Sequence, residues 1–315
     1  MPHGFCHATA RKTSAWKDYE RAITAVSPAS SATAIVRFRP LPVPALLLLP
    51  CLIWILVFFL LPLALMCWRS LASEGFSFAP YAVLFSSPLY VKVMLTTLKM
   101  ASIATVGALL LAYPIAYALT VTGGKLRAAI LLFVLIPYWV DIIVRSFSWL
   151  IMLGDNGLIN KALMALGVTQ EPLPLLYNAF SVLVAMVQIL LPLAIVTLFG
   201  AMLRIDRTLT AAAKIHGASD WQAFRTVFFP LSLPGVYAAG LLVFILALGF
   251  YVTPALLGSP KETMIAQTIM VEASQLLDWA QASAAGAVLL AITTSIAAIY
   301  NRYFSLERLW GGSEP

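Results

Sequence analysis

The chain has 315 residues, of which 61% are hydrophobic and only 10% are charged, whereas a soluble domain has roughly 25% charged residues. With a mean hydropathy of +0.92, this composition excludes a soluble enzyme or carrier and indicates an integral membrane protein. The net charge of +7 does not indicate nucleic-acid binding, because the basic residues are scattered among predicted loops. Cys6, Cys51 and Cys67 imply no disulfide framework, since Cys51 and Cys67 would lie roughly 24 Å apart along one helix.

The polar first 40 residues have no periodic apolar face, so we expect a mobile cytoplasmic tail. His3, Cys6 and His7 lie in this tail, but His and Cys at an exposed terminus do not predict a metal site. The apolar stretch that begins near residue 41 is too long and too far from the N-terminus for a cleaved signal peptide. We expect it to remain as the first transmembrane helix, over residues 41–70.

Six apolar stretches, each long enough for the about 20 helical residues that cross a bilayer, predict six transmembrane helices in an all-α fold. The third is interrupted only by Asp141 and Arg145. The stretch that contains the fifth exceeds one crossing, so the Pro-bearing segment Gly249–Pro260 is expected to be re-entrant or interfacial. The predicted helices lie near 44–68, 93–121, 128–153, 177–203, 234–257 and 279–301.

The distribution of Lys and Arg predicts the orientation of these helices, because cytoplasmic loops carry an excess of both residues. With the N-terminus in the cytoplasm, fourteen of them fall in inside segments and five in outside segments. Both termini and the segments 122–127 and 204–233 are therefore expected in the cytoplasm, and residues 155–175 are expected outside.

The polar segment 204–235 lies between two apolar stretches and predicts two short helices joined by a turn. Asp206 is a typical N-cap, and Gly217 suits the end of the first helix, where a left-handed residue is favoured. Ser219 and Gln222 have the spacing of a capping box that begins the second helix. Small side chains at the tip would let a partner protein approach closely.

The second short helix is expected to carry Phe224, Val227 and Phe228 on one side and to end at Pro230. Pro234 is then expected to open the next transmembrane helix, since proline is favoured in the first turn. The sequence therefore predicts a cytoplasmic elbow between the fourth and fifth transmembrane helices.

The elbow resembles the EAA loop of binding-protein-dependent ABC importer permeases, in which Glu-Ala-Ala is followed at fixed spacing by Gly and Pro. Ala211 departs from this pattern, which has Glu at that position. The stretches "PYWVDIIVRSFSWLIMLGDNGLIN" and "PALLGSPKETMI" and the six-helix layout resemble the spermidine/putrescine-type subfamily from about residue 41 to 304. The positions of the segment 204–235 that match are Ala212, Ala213, Gly217, Ala218, Phe224, Val227 and Pro230.

The resemblance implies a MetI-like permease domain over residues 92–303, with a coupling loop at 204–233 and a short cytoplasmic tail at 304–315. It implies a multi-pass protein of the bacterial inner membrane that is not an enzyme and binds no cofactor, because two partner ABC ATPase subunits would bind ATP and Mg. A sister permease, or a second copy of this chain, and a soluble solute-binding protein would complete the importer. The residues that couple to the ATPase would be Ala211, Ala212, Ala213, Gly217, Ala218 and Asp220.

Asp141 and Arg145 are four residues apart on the third predicted helix and would share one face. Charges inside a membrane are costly and usually face a cavity or a partner. Either the two residues neutralise each other, or Asp141 contacts a cationic substrate beside the rings of Tyr138 and Trp139, since cations bind well over aromatic faces. The other pathway candidates, for which helix packing is the alternative explanation, are Gln188, Phe250 and Tyr251.

The resemblance implies a polyamine such as spermidine or putrescine as the solute, while an opine, an amino-acid derivative or another small cation stays open. The alternative class is a channel or membrane enzyme that works alone. A lone channel needs no docking elbow, and the sequence contains neither a GxxxxGK[ST] phosphate loop nor a catalytic constellation.

Overall fold

A computed structural model describes residues 43–72 and 75–303 of the chain. The tails predicted at 1–40 and 304–315, with His3, Cys6 and His7, lie outside the described residues. Within the described ranges the chain forms helices and no strand. Compact packing divides the chain after Leu56 into two units, and the segment up to that residue belongs to the first of them.

Fourteen α-helices account for most of the described chain, and short 3₁₀ or π turns join some of them. The 3₁₀ turns are Ile136–Trp139 and Pro260–Glu262, and the π turns are Leu56–Leu60, Phe224–Phe228 and Glu272–Leu276. The helices are α1 (Val43–Ile55), α2 (Leu61–Leu71), α3 (Ala79–Ser86), α4 (Pro88–Val121), α5 (Gly124–Leu135), α6 (Ile142–Leu153), α7 (Leu158–Ala165), α8 (Ala179–Met202), α9 (Arg207–Ile215), α10 (Asp220–Ala223), α11 (Phe229–Leu248), α12 (Val252–Leu257), α13 (Ile265–Val271) and α14 (Trp279–Tyr303).

Six helical segments of the described chain are long and apolar enough to cross a membrane, which confirms the predicted number. With 34 residues, α4 is roughly 51 Å long and exceeds the ~30 Å hydrocarbon core of a bilayer. The six segments are Leu49–Leu71, Pro88–Val121, Ile142–Ala165, Ala179–Met202, Asp220–Leu248 and Trp279–Arg302.

The helix predicted at 128–153 is broken in the structure, so that prediction is wrong. The first part, α5, ends at Leu135, and the second part, α6, begins at Ile142 after a 3₁₀ turn that contains Pro137. Proline lacks the N–H that would continue α5 and its ring collides with the preceding turn. Each part has 12 residues and is roughly 18 Å long, so neither part alone would span the ~30 Å core of a bilayer.

A second break separates α11 from α12, so the single helix predicted at 234–257 is also wrong. The chain leaves α11 after Leu248 and α12 begins at Val252. The ring of Pro254 would clash with the carbonyl four residues earlier if one helix continued. A re-entrant or interfacial position for Gly249–Pro260 stays a prediction.

The main core forms where α4, α8 and α11 pack together through small side chains. Small residues let helix backbones approach closely inside a membrane. At Gly235 of α11 the approach is so close that an added Cβ would lie 2.5 Å from the Cβ of Ala201 on α8. The alanines of α4 that line this core and are fully buried are Ala101, Ala104, Ala108, Ala112 and Ala116.

Buried polar side chains fix the segments that follow α6 and α12. Asn160 Nδ2 donates to the carbonyls of Gly154 and Leu173 at 3.1 Å each, and its Oδ1 accepts from the N–H of Leu173 at 3.0 Å. The hydroxyl of Ser181, at the start of α8, donates to the carbonyl of Leu257 at 2.8 Å. The turn after α6 and the end of α12 are therefore each anchored by a side chain that has its hydrogen bonds satisfied.

Candidate functional site

The elbow, residues 206–223, is capped as the sequence predicts. Asp206 Oδ1 accepts the N–H of Thr208 at 2.9 Å, and this bond lowers the pKa of the Asp206 carboxyl. Ser219 Oγ accepts the N–H of Gln222 at 3.3 Å, while Gln222 Oε1 accepts the N–H of Ser219 at 2.9 Å. These reciprocal bonds are the predicted capping box, so a side chain caps the start of each short helix.

The turn between α9 and α10 depends on the backbone conformation of Gly217, whose φ is +91°. The N–H of Gly217 donates to the carbonyl of Lys214 at 3.0 Å, and the N–H of Ala218 donates to that of Ala213 at 3.1 Å. This pair of bonds is the Schellman motif, which ends helices at a left-handed residue. A Cβ at Gly217 would meet no atom within 4 Å, so the preference for glycine comes from φ and not from crowding.

An ion pair closes the elbow across this turn. Lys214 Nζ lies 2.6 Å from Asp220 Oδ1, and among the described residues this is the only pair of opposite charges within 4.0 Å. The hydrogen bond that Lys214 donates to Asp220 raises the pKa of the Lys214 ammonium. Of the other predicted coupling residues, Ala211, Ala212 and Gly217 are exposed, and Ala213 and Ala218 are half-buried.

The second short helix does not end at Pro230 as predicted. It passes through the π turn 224–228 into α11, so no new helix opens at Pro234, which lies inside α11. A π turn is wider than an α turn and relieves the contact between the ring of Pro230 and the preceding carbonyls, which would otherwise break the helix. As a result, the elbow continues into a transmembrane helix without an intervening loop.

Aromatic rings join α4 to the π turn that follows the elbow. The ring centroid of Tyr117 lies 5.1 Å from that of Phe224 and 5.0 Å from that of Phe228, both in edge-to-face geometry. One turn earlier on α4, the hydroxyls of Tyr113 and Ser232 are 2.8 Å apart and hydrogen-bonded. Such ring pairs stabilise packing by about 0.5–1.5 kcal/mol beyond their buried area, so movement of the elbow would act directly on α4.

A cavity of ≈ 280 Å³ lies where the two helix breaks meet α8. The 3₁₀ turn provides Tyr138, α6 provides Arg145, and the segment between α11 and α12 provides Phe250 and Tyr251. Of the residues singled out from the sequence, Tyr138, Arg145, Phe250 and Tyr251 therefore line one cavity. Interrupted membrane helices are typical of substrate sites in transporters.

Arg145 is the charged residue of the cavity lining. Its Nε and Nη1 are buried and have no hydrogen-bond partner within the described residues. An unpaired cation within a membrane-spanning segment is costly and marks a cavity or an interface with a partner. The cavity is therefore incomplete as a polar site in this chain alone.

Asp141 and Trp139 do not line the cavity. Asp141 precedes α6 as its N-cap and accepts the N–H of Ile143 at 2.8 Å. Its carbonyl accepts the N–H of Arg145 at 3.1 Å, so the two residues lie one helical turn apart. The two residues form no ion pair within 4.0 Å. Mutual neutralisation at a longer distance and contact of Asp141 with a cationic substrate both stay predictions. Trp139 is 87% exposed. Gln188 accepts a hydrogen bond from Trp149 Nε1 at 3.4 Å, which agrees with the helix-packing alternative.

Sequence reasoning missed the buried polar pairs around the cavity. Ser146 on α6 and Thr253 on α12 are both fully buried, and their hydroxyl oxygens are 3.0 Å apart. A lone Ser or Thr in an apolar helix gives no signal of its partner. For Asn160 a signal existed, because the polar run "GDNGLIN" interrupts an otherwise apolar sequence.

Comparison with known proteins places this architecture in a family. Residues 104–306 match the model of the binding-protein-dependent transport system inner membrane component. The spermidine/putrescine transport system permease protein PotB of Salmonella typhimurium is 31% identical over 257 residues, which is 79% of this chain and 89% of that protein. PotB of Haemophilus influenzae is 30% identical over 263 residues, or 81% and 91% of the two chains.

The fold agrees with that of a solved transporter. A chain in the crystal structure of the bacterial alginate ABC transporter in complex with alginate pentasaccharide-bound periplasmic protein superposes with a TM-score of 0.65. It is 20% identical in sequence, and the superposition covers 92% of this chain and 98% of that one. With six membrane-crossing segments and a matched region that covers more than half of its length, the chain belongs to the family of binding-protein-dependent transport system inner membrane components and is a multi-pass permease subunit of an ABC importer.

Proposed function

We propose that two ABC ATPase subunits drive this permease and that one of them grips the elbow at Ala211–Gly217, Ala218 and Asp220. The observation that carries this proposal is that the Gly217 turn and the Lys214–Asp220 ion pair close the elbow. ATP and Mg would bind to the ATPase subunits, and this chain would bind no cofactor. The coupling loop 204–233 would belong to a permease domain over 92–303.

A matched pair of glycine variants tests the grip. Gly217→Val forces a β-branched residue to a positive φ, which L residues rarely adopt. Gly200→Val is the control, because a Cβ at Gly200 also meets no atom within 4 Å but lies within α8. The ATPase should co-purify poorly with Gly217→Val and normally with Gly200→Val. Equal ATPase recovery and equal substrate-stimulated hydrolysis for both variants would contradict the proposal.

The remaining subunits of the importer are a sister permease, or a second copy of this chain, and a solute-binding protein outside the membrane. The related alginate transporter is in complex with a periplasmic protein, which supports this arrangement. The distribution of Lys and Arg supports placing both termini and the elbow in the cytoplasm. The binding protein would deliver solute to the outer side, opposite the elbow.

The solute would be a small cation of the polyamine class. Relatives that cover most of this chain are named as spermidine/putrescine permeases, and this similarity carries the proposal. The cavity between the helix breaks would belong to the pathway, where the rings of Tyr138 and Tyr251 offer faces to an ammonium group. Asp141, at the end of the same 3₁₀ turn, would supply negative charge at its entrance.

Arg145 favours a second candidate, an opine or amino-acid-like solute. Its unpaired guanidinium in the cavity lining repels a polyamine but matches a carboxylate in a bidentate manner. Calorimetry of the cognate binding protein with polyamines, opines and amino acids separates the two candidates. Binding of polyamines alone supports the first, and binding of carboxylate-bearing solutes alone supports the second.

Once the solute is known, variants with neutral side chains test the roles of the charged residues Asp141 and Arg145 in transport. Asp141→Asn keeps an N-cap acceptor and removes the charge, so the permease should still assemble and support ATP hydrolysis. Transport of a polyamine should fall with Asp141→Asn, and transport of a carboxylate-bearing solute should fall with Arg145→Gln. Full polyamine transport by Asp141→Asn would show that Asp141 acts only as the cap of α6.

A further inference from the structure

A groove of ≈ 300 Å³ lies between the elbow and the C-terminal end of α4. Rings of Tyr117 and Phe224 form one wall, and three charged residues, Arg207, Lys214 and Asp220, line the remainder. This groove is separate from the cavity at the helix breaks, with which it shares no lining residue.

The charges of the groove leave one cation unpaired. Lys214 is neutralised by Asp220 at 2.6 Å. Arg207 lines the same groove, and its guanidinium makes no hydrogen bond or ion pair with any of residues 43–72 and 75–303. The groove therefore presents a net single positive charge, which comes from Arg207.

Local helix stability does not account for Arg207. It is the first residue of α9, where the positive end of the helix dipole disfavours a cation. The residue four positions later is Ala211, so the helix position that would place a carboxylate beside Arg207 holds a side chain without charge. The EAA-loop pattern that this segment resembles has Glu at that position, and its absence frees Arg207 for an external group.

The surface around the groove suits a protein. Ile215, next to Lys214, is 84% exposed, and Trp221, next to Asp220, is 67% exposed. Exposed apolar side chains beside an unpaired charge are typical of protein interfaces, in which aromatic residues and Arg are enriched. The guanidinium fork matches a carboxylate with two parallel hydrogen bonds.

We propose that Arg207 in this groove binds a carboxylate side chain of the ATPase subunit that docks on the elbow. The proposal rests on the proposed function, because it needs an ATPase at the elbow. In the EAA pattern the permease provides an acidic residue, Glu. Here the charges are exchanged, so that the permease provides the cation and the ATPase provides the anion. Docking should therefore weaken as the salt concentration rises, since exposed charge pairs are screened.

Titration of the purified ATPase subunit of the same transporter onto the permease in nanodiscs tests the proposal. Arg207→Glu should raise the Kd by about tenfold, as expected when an exposed pair is lost and replaced by repulsion. Arg225→Glu is the matched control, because Arg225 is exposed nearby but does not line the groove. Ala211→Glu should also weaken docking, since it gives Arg207 a partner within α9.

The outcomes separate this inference from the proposed function. If Gly217→Val weakens docking and Arg207→Glu does not, the groove inference is wrong and the grip of the elbow stands. If neither variant weakens docking, both proposals fail. If Arg207→Glu and Arg225→Glu weaken ATPase binding equally, the loss comes from the overall charge and not from the groove, and the inference is overturned.

A membrane lipid is the competing source of an anion. Permease without ATPase is therefore reconstituted with and without anionic phospholipid. A change in lipid binding by Arg207→Glu, with an unchanged Kd for the ATPase, would assign the groove to lipid and overturn the inference. Stronger docking by Ala211→Glu would likewise overturn it, because that result requires a basic docking partner.

Discussion

The hydroxyls of Ser146 and Thr253 lie 3.0 Å apart in the interior of the protein and join α6 to α12. These two helices follow the two breaks that border the cavity, and the residues are 107 positions apart in the chain. The hydrogen bond therefore connects the two helices that follow the breaks.

Loss of this bond should be measurable as a coupling energy. In a double-mutant cycle with Ser146→Ala and Thr253→Val, the single variants should each lower the free energy of unfolding. The double variant should lose less than their sum, with a coupling of about 0.6–1.7 kcal/mol, as for other interhelical hydrogen bonds in membranes. Strictly additive losses in the purified permease would show that the two hydroxyls contribute nothing to each other.

The contact of Gly235 with Ala201 predicts that a second substitution restores the stability lost by a first. Gly235→Ala would place a Cβ 2.5 Å from that of Ala201, so α8 and α11 must separate, at a cost of about 1–3 kcal/mol. The midpoint of thermal unfolding should fall, and the second change Ala201→Gly should restore it because the removed methyl group is the one in contact. Failure of Ala201→Gly to restore the midpoint would locate the loss in the helix backbone and not in this contact.

The aromatic contacts of Tyr117 predict a change in coupling. Tyr117→Ala removes a ring that is edge-on to both Phe224 and Phe228, whereas Tyr117→Phe keeps it. With the alanine variant, the amount of solute transported per ATP hydrolysed should fall while the ATPase still co-purifies. The phenylalanine variant should transport normally. An unchanged ratio for Tyr117→Ala would exclude a role of this ring in joining the elbow to α4.

Single cysteines test the orientation, in a background without the three native cysteines. Val168→Cys and His216→Cys both place the thiol at exposed positions, in segments predicted outside and inside, respectively. A membrane-impermeant maleimide should label Val168→Cys in sealed cells and should label His216→Cys only after the membrane is opened. Labelling of His216→Cys in sealed cells would reverse the topology and place the elbow outside.

Local chemistry made the elbow predictable. The roles of Asp206, Gly217 and Ser219 depend on backbone groups within a few residues, so spacing alone identifies them. The course of the chain at Pro230 was not predictable in the same way, because a π turn compensates for a residue that usually ends a helix.

The number of membrane crossings followed from composition, since only long apolar stretches are stable in lipid. The helix breaks and the cavity depend on contacts between distant residues. Ser146 is hydrogen-bonded to Thr253, and Tyr138 and Tyr251 line the same cavity. No local sequence pattern encodes such pairs. The Asp141–Arg145 spacing does place the two residues one helical turn apart, but the helix begins after Asp141 and does not continue from α5.

The π turn has a mechanical consequence. Because the π turn takes the place of a loop, the chain from Asp220 to Leu248 is one continuous helical segment of 29 residues. Such a helix is roughly 43 Å long, so a tilt of about 5° at one end displaces the other by on the order of 4 Å. That far end adjoins Gly249, Phe250 and Tyr251, which form a wall of the cavity. A tilt of this whole helix, applied at the elbow, would thus move that wall of the cavity by more than the diameter of a water molecule.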